Sequence, residues 1–367
     1  KKYLMINIKK IFNHYSIIFL ISFFSIDFIL SNTLLNLTKK SCYQIERFYL
    51  ELKKNCNGKE KFKSGFPIVN IYTDNQGLRT TKNHERTDKN KIFIFGSSMT
   101  FGTGLEYKES AIGILEKQQP KYEFYNFSTG SYSPTAYVYQ LKEQLKNNQI
   151  PDKTILFLSL ADIFNEGVVW AGYDKNERPL LASDSIYKIN EEKKNEKFIK
   201  KNFRVSRSLI HSMNSKIRVF RNKTKTKINS DYKIKSSFQG GFTYRPINNL
   251  KPFYTDKIFF NGKNKLNERV AEIAKILNEN NVEFYLAIYP FAENLEYGQK
   301  IFNWESYTQD LCAKINNCNF VNTFSAFKEY KIKNKNWYSD LFFIGDEHYT
   351  NEGHKLFANN LDKKIFK

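Results

Sequence analysis

Hydrophobic and polar positions change rhythm several times along this chain. Residues 15–35, YSIIFLISFFSIDFILSNTLL, are almost continuously apolar. That is close to the ~20 residues with which a helix crosses a bilayer. Asp27 interrupts the run, and a carboxylate at the bilayer centre costs about 2.5–3.5 kcal/mol on insertion scales. The charge-free part, 17–26, is also short enough for a signal-peptide core. No small-x-small cleavage site of the usual kind follows. An uncleaved anchor is therefore expected ahead of a cleaved signal or a buried core helix. A polar, Lys-rich lead (39–63) comes next, then one extended stretch, FPIVNIYTDNQGLRTT.

From residue 91 the rhythm becomes an alternation of strand and helix. KIFIFG (91–96), YEFYNF (122–127) and TILFLSLA (154–161) are short apolar runs of the kind a sheet buries on both faces. Helices are predicted over 110–118 and 133–148, the second with Ser133 as N-cap and Pro134 at its first position. The pattern breaks over most of 162–258, where 204–221 reads as helical. It resumes with a helix (266–280), a strand (282–290), a helix (306–316), a short strand (319–322) and a final helix (351–364). This order predicts an α/β fold, a parallel sheet with helices on both faces. The expected divisions are an anchor or signal (1–40), a lead (41–88) and an α/β domain (89–367) carrying an insertion at about 165–258.

Composition adds limits rather than a new picture. Of 367 residues 41% are apolar and 16% aromatic, enough to bury a sizeable core and to exclude a wholly disordered chain. The net charge of +21 raises nucleic acid, acidic glycan or anionic lipid as partners. Abundant Lys, Asn, Ile, Phe and Tyr offer a blander source, the bias of an AT-rich genome. The excess is also localised: 188–235 holds 16 Lys+Arg against 4 Asp+Glu. That block has few aromatics and no recognisable module, so no nucleic-acid partner is expected. Lys1, Lys2, Lys9 and Lys10 precede the apolar run. The positive-inside rule then leaves the N-terminus cytoplasmic and the rest of the chain outside, although Lys39 and Lys40 weaken the asymmetry. The four cysteines fall in two local pairs, Cys42 with Cys56 and Cys312 with Cys318. An even count at short spacing suits two disulfides in an oxidising compartment, with four unpaired thiols as the alternative. No Cys/His spacing marks a zinc site, and no metal or cofactor is expected.

Two segments could carry chemistry. In FIFGSSMTFGTG a strand ends in a sharp Gly-Ser turn into a helix. Such a turn displays a side chain at the carboxyl edge of a parallel sheet, where ligands bind, with helix N–H groups pointing at it. An ordinary βα turn has the same composition. In GDEHYTNEGH, Asp346 and His348 are two apart on a loop entering the last helix. A His oriented by a carboxylate is the general-base half of a nucleophilic triad. A polar turn before a helix is the plain alternative, and His354 is expected on the helix surface.

Ser early and Asp-x-His late, in this order and separation, resemble the SGNH hydrolase (GDSL esterase) family from about residue 91 to 366. That family's first block is normally Gly-Asp-Ser-x-Thr-x-Gly. Here it stands as Gly96-Ser97-Ser98-Met99-Thr100-Phe101-Gly102. The resemblance implies Ser98 as nucleophile, with Ser97 in place of the usual Asp. NFSTGSYSP resembles the second block, which implies Gly130 as an oxyanion-hole donor beside the N–H of Ser98. Register leaves Ser131 or Ser128 possible. The third block usually supplies Asn-Asp after the third strand, and here Ala161-Asp162 stands there. Loss of one such donor typically slows the reaction about 10²–10³-fold. The last block, usually Asp-x-x-His, is Asp346-Glu347-His348, followed by Tyr349. This shorter Asp-x-His-aromatic form looks like that of alginate O-acetylation proteins and related membrane-linked members. DNQGLR (74–79) likewise looks like the Asn-x-Gly-[Phe/Leu]-Arg segment before the domain in such proteins, and it is also compatible with a simple turn.

The resemblance implies a three-layer, flavodoxin-like parallel sheet behind an N-terminal transmembrane helix. It implies a serine esterase with Ser98, His348 and Asp346 as catalytic residues. The substrate would be ester-linked acyl groups, such as O-acetyl groups of cell-surface carbohydrate. The same residues would serve an O-acetyltransferase, and a non-catalytic carbohydrate-binding protein could keep the fold. The implied place is the bacterial inner membrane, single-pass, with the catalytic domain in the periplasm or outside the cell.

Overall fold

The computed structural model describes residues 2–32 (side chains from 15), 42–44, 51–63, 66–87, 89–182, 202–203, 205–206, 234, 241–246 and 255–367. Contacts divide the chain into two compact units. The first comprises Lys1–Lys40 and Ile189–Tyr232, the second Ser41–Lys188 and Lys233–Lys367.

The first unit is built on helix α1 (Lys2–Asn32). Its window Tyr15–Asn32, of mean hydropathy 1.7, is long and apolar enough to cross a membrane. A soluble core would bury such a helix, yet Phe19, Ile21 and Ile29 are 68, 62 and 58% exposed. Asp27, with Ser31 one turn on, is the buried exception. Its carboxylate accepts the N–H groups of Val205 and Ser206 at 2.9 and 2.7 Å and the Ser31 hydroxyl at 2.9 Å. A charge inside an apolar span is tolerated when it is paired in this way. Phe203 packs on Phe24 and Phe28 beside it. Apart from Val205 and Ser206, the predicted helix 204–221 lies outside the described residues, as does most of the basic block.

The second unit begins with short antiparallel pairings. Strands β1 (Tyr43–Gln44) and β2 (Glu51–Leu52) pair, as do β3 (Asn57–Glu60), β4 (Val69–Thr73) and β5 (Arg79–Thr80). A Cys42–Cys56 disulfide joins the two groups. Cys42, Val69 and Ile71 bury Phe101 of the helix that follows the first long strand. The lead is therefore packed onto the domain.

The main sheet has five parallel strands: β6 (Asn90–Phe95), β7 (Tyr122–Asn126), β8 (Lys153–Leu158), β11 (Glu283–Ile288) and β12 (Cys318–Asn322). Strands β9 (Trp170–Tyr173) and β10 (Pro179–Leu181) form a separate hairpin. The order β7-β6-β8-β11-β12 is the flavodoxin-like winding. Helices α2 (Ser98–Phe101), α3 (Ala111–Gln118), α4 (Pro134–Lys146), α5 (Leu160–Val168), α6 (Asp256–Glu279), α7 (Ala292–Tyr297), α8 (Trp304–Ala313), α9 (Phe324–Lys333), α10 (Trp337–Leu341) and α11 (Asn351–Leu361) complete it. They form two packed sets, α4, α5 and α6 in one and α3, α9, α10 and α11 in the other. Between them the sheet is buried on both faces, Ile92 to Phe95 and Ile155 to Leu158 being fully inaccessible. That is why these strands read as continuous apolar runs. A second disulfide, Cys312–Cys318, ties α8 to β12.

Several expectations need correction. The third strand stops at Leu158, not at 161, because Ser159 starts α5. The Asp162 carboxylate accepts the Ser159 N–H at 2.5 Å and its hydroxyl at 2.9 Å, closing a capping box. The helix expected from 266 begins at Asp256, where Thr255 accepts the Ile258 N–H at 3.2 Å. The supposed break after 162 contains α5 and the β9–β10 hairpin. Ser133 is the N-cap of α4 by backbone only; its hydroxyl donates to Glu166 at 2.6 Å and accepts from Trp170 at 2.8 Å.

Candidate active site

The winding reverses between β6 and β8, and ligands of open α/β sheets bind at that switch point, at the strand ends. Ser98 lies just beyond the end of β6, as the first residue of α2. The turn is tight because Gly96 has no Cβ: one would fall 2.7 Å from Cβ of Thr100. Gly102 then ends α2 in the left-handed region, at φ +79°. The loop after β7 continues along β6, Phe127 N–H donating to Ile94 and Thr129 N–H to Gly96 at 2.9 and 3.3 Å. This brings Gly130 beside Ser98, where an added Cβ would lie 4.0 Å from that of Ser98.

The loop before α11 supplies the other half. Phe343 N–H donates to the His348 carbonyl and Asp346 N–H to the Phe343 carbonyl, both at 2.9 Å, and Gly345 turns at φ +75°. Tyr349 nails the loop down. It is fully buried, its hydroxyl donates to the Pro290 carbonyl at 2.7 Å, and its ring stacks on Phe327 at 4.9 Å. Thr350 caps α11 by accepting the Gly353 N–H.

These elements bring Ser98, His348 and Asp346 together. His348 Nε2 is 2.7 Å from Ser98 Oγ, and Nδ1 is 2.5 Å from Asp346 Oδ1. A carboxylate only accepts, so Nδ1 carries the proton and Nε2 is free to accept from Ser98. Asp346 Oδ1 also accepts the His348 N–H at 2.9 Å, and its Oδ2 is bonded by Lys63. Phe62 covers the imidazole edge-on at 5.0 Å, with Phe66 behind it. His348 is only 3% exposed. Burial pushes its pKa down to about 4; the Glu347 charge opposes this and Lys63 adds to it. Burial also raises the Glu347 carboxyl, which the nearby His348 opposes.

The departures from the expected motif have structural counterparts. Ser97, standing for the usual Asp, is buried with its hydroxyl 3.3 Å from that of Tyr289. Ala161 is half-buried inside α5 and offers no side-chain amide. Asp162 is consumed by the cap of that helix, and burial raises its pKa to about 8. Ser131 adopts φ +64°, and Ser128 is buried in the same loop. His354 is not on the helix surface as expected. It is 1% exposed and accepts the Ala111 N–H at 3.0 Å, closing the start of α3.

Sequence reasoning missed Lys63, Phe62, Phe66 and Tyr289, which come from segments with no chemical signature. It also left the role of DNQGLR open. Asp74 accepts the N–H groups of Gln76 and Leu78 at 2.9 and 2.8 Å, making the turn. Arg79 is buried against the far end of α2. Its guanidinium donates to the carbonyls of Phe101, Gly102 and Leu105 and lies 4.4 Å over the Phe101 ring. Among the described residues His84, Glu116 and Glu123 could together hold a metal ion. Arg86 donates to Glu123 there at 2.8 Å, which already supplies a cation.

No protein-family model matches the chain. No curated protein matches it either. Among solved structures it is similar to an esterase from Pseudoalteromonas sp., at 10% identity and TM-score 0.37 over 76% of this chain and 97% of the other. It is similar to a G-D-S-L family protein from Desulfitobacterium hafniense, at 12% identity and TM-score 0.40 over 76% and 100%. It is similar to a lipase from a goat rumen metagenome, at 9% identity and TM-score 0.42 over 76% and 98%. Likenesses this remote leave the functional reading to the geometry of Ser98, His348 and Asp346.

Proposed function

We propose that the protein is a serine esterase that removes ester-linked acyl groups, with O-acetyl groups of cell-surface carbohydrate as its substrate. The observation that carries this reading is the continuous relay from Ser98 Oγ through His348 to Asp346. His348 Nε2 takes the Ser98 proton as Oγ attacks the ester carbonyl. Asp346 holds the imidazole in the required tautomer, and Lys63 holds Asp346. The N–H groups of Ser98 and Gly130 receive the oxyanion. His348 then returns its proton to the departing alcohol, and water, activated by the same imidazole, releases the acid. An acetyl carrier and a sugar hydroxyl in place of ester and water would make the same site an O-acetyltransferase.

The Asp-x-His-aromatic loop and the DNQGLR segment support the carbohydrate branch of this reading. The apolar α1 and the two disulfides support an anchored, single-pass protein of the bacterial inner membrane, with its catalytic domain in the periplasm or outside the cell. Ala161 favours a slower enzyme or a binding protein that keeps the fold. Hydrolysis of p-nitrophenyl acetate and acetate release from acetylated oligosaccharides by the full-length protein separate these. We expect Ser98→Ala and His348→Ala each to lower the rate about 10⁴-fold or more. Equal rates in all three proteins overturn the mechanism.

A further inference from the structure

A cavity lies beside the loop that carries Gly130. Its interior offers about 80 Å³, partly open to solvent, and is lined from the lead by Gln76 and Leu78 and from α4 by Gln140 and Glu143. Asn126 and Ser128 share its wall and are each 1% exposed. Buried polar groups are ordinarily paired. Here four have no protein partner: Gln76 Oε1, Asn126 Nδ2, Ser128 Oγ and Gln140 Oε1. Two of these orientations are fixed by the opposite end of the same amide. Asn126 Oδ1 accepts the Ser128 N–H at 3.1 Å, which turns its NH₂ away as a spare donor. Gln140 Nε2 donates to the Phe127 carbonyl at 3.2 Å, which leaves its oxygen as a spare acceptor.

The cavity thus presents an amide donor, two amide acceptors and a hydroxyl. Among the described residues its charged lining is Glu51 and Glu143, with no Lys or Arg. That composition repels carboxylates and phosphates. It suits a group that both donates and accepts at several points without charge. Phe127, Tyr132 and Tyr139 add apolar ring surface to the same wall. We propose that this cavity binds an uncharged polyhydroxy group, one neutral pyranose ring of a glycan. The proposal deepens the carbohydrate reading above and depends on it for the link to catalysis, though not for the binding itself.

The test is ligand-observed NMR on the full-length protein in detergent, in the Ser98→Ala background. The probes are the methyl β-glycosides of glucose, xylose and N-acetylglucosamine, with glucuronate as the charged control. We expect saturable binding of at least one neutral glycoside and binding of glucuronate at least about tenfold weaker. Ser128→Ala should weaken the glycoside about tenfold and leave the melting temperature unchanged, since that hydroxyl makes no protein bond. Gln76→Leu, on the opposite wall, should weaken it similarly and serves if Ser128→Ala misfolds. No binding of any neutral glycoside up to about 0.1 M means that the cavity holds ordered water only, and overturns the proposal. So does preference for glucuronate, or binding that both variants leave unchanged. Because Ser98 is absent from the assay, loss of the esterase reading and loss of this one are separate results.

Discussion

A proton on His348 Nε2 turns the acceptor that faces Ser98 Oγ into a donor and stops the attack. The pH at which that happens is set by burial, which lowers the imidazole pKa from its ordinary value to about 4. The base is active in its neutral form, so activity is retained above this pKa and lost as pH falls through it. The rate kcat/KM for p-nitrophenyl acetate should stay level from pH 8 to about 5 and drop tenfold per unit below about 4. A midpoint near 6.5 in a pH–rate profile would show an imidazole that burial leaves unperturbed. At this scale the sequence was informative where chemistry is written in residue types. Ser98, His348 and Asp346 are rare polar choices at the ends of apolar runs. His354 was misplaced because a buried histidine satisfied by one backbone N–H looks, in sequence, like any polar helix residue. Phe62 and Lys63 reach the site across the fold, and no local pattern records that.

The elements around the nucleophile depend on a segment that sequence reading treated as a lead. Arg79 holds the Phe101 and Gly102 carbonyls at the end of α2 and the Leu105 carbonyl in the turn beyond it. Arg79→Met would take this donor from the Phe101 and Leu105 carbonyls, while Gly102 would keep the Leu105 N–H at 3.1 Å. We expect a loss of about 3 kcal/mol in stability, measured by denaturant unfolding, together with a fall in esterase rate as Ser98 loses its support. An unchanged unfolding midpoint contradicts this role. The five sheet strands were legible because burial on both faces makes them uniformly apolar. The third was read too long because Ser159-Leu160-Ala161 is as apolar as a strand end, and the cap that breaks it depends on Asp162 three residues later. The helices α7 and α10 escaped notice since short helices carry too few turns to show a period, and α9, as long as α8, because it buries only Phe324 and Phe327 and so shows little amphipathic pattern.

For the whole molecule, charge and cysteine placement support the proposed compartment. The disulfides Cys42–Cys56 and Cys312–Cys318 both lie beyond α1 in the chain, and such bonds persist where the surroundings oxidise. Protein isolated from membranes under alkylating, non-reducing conditions should therefore take up no maleimide until it is reduced. Labelling of all four cysteines without reduction contradicts the proposed outward placement of the domain. The sequence suggested where the basic excess sits but not that part of the insertion meets α1. The carboxylate of Asp27 is answered by Val205 and Ser206, far away in the chain, and a pairing that distant leaves no trace in local hydropathy.

The proposed mechanism requires Ser98 to be an activated nucleophile. It is tested most directly by treating the full-length protein with a fluorophosphonate and mapping the adduct by peptide mass spectrometry. One adduct is expected, on Ser98, absent in Ser98→Ala and strongly reduced in His348→Ala. A wild-type protein that never labels, or an adduct that persists in Ser98→Ala, contradicts it.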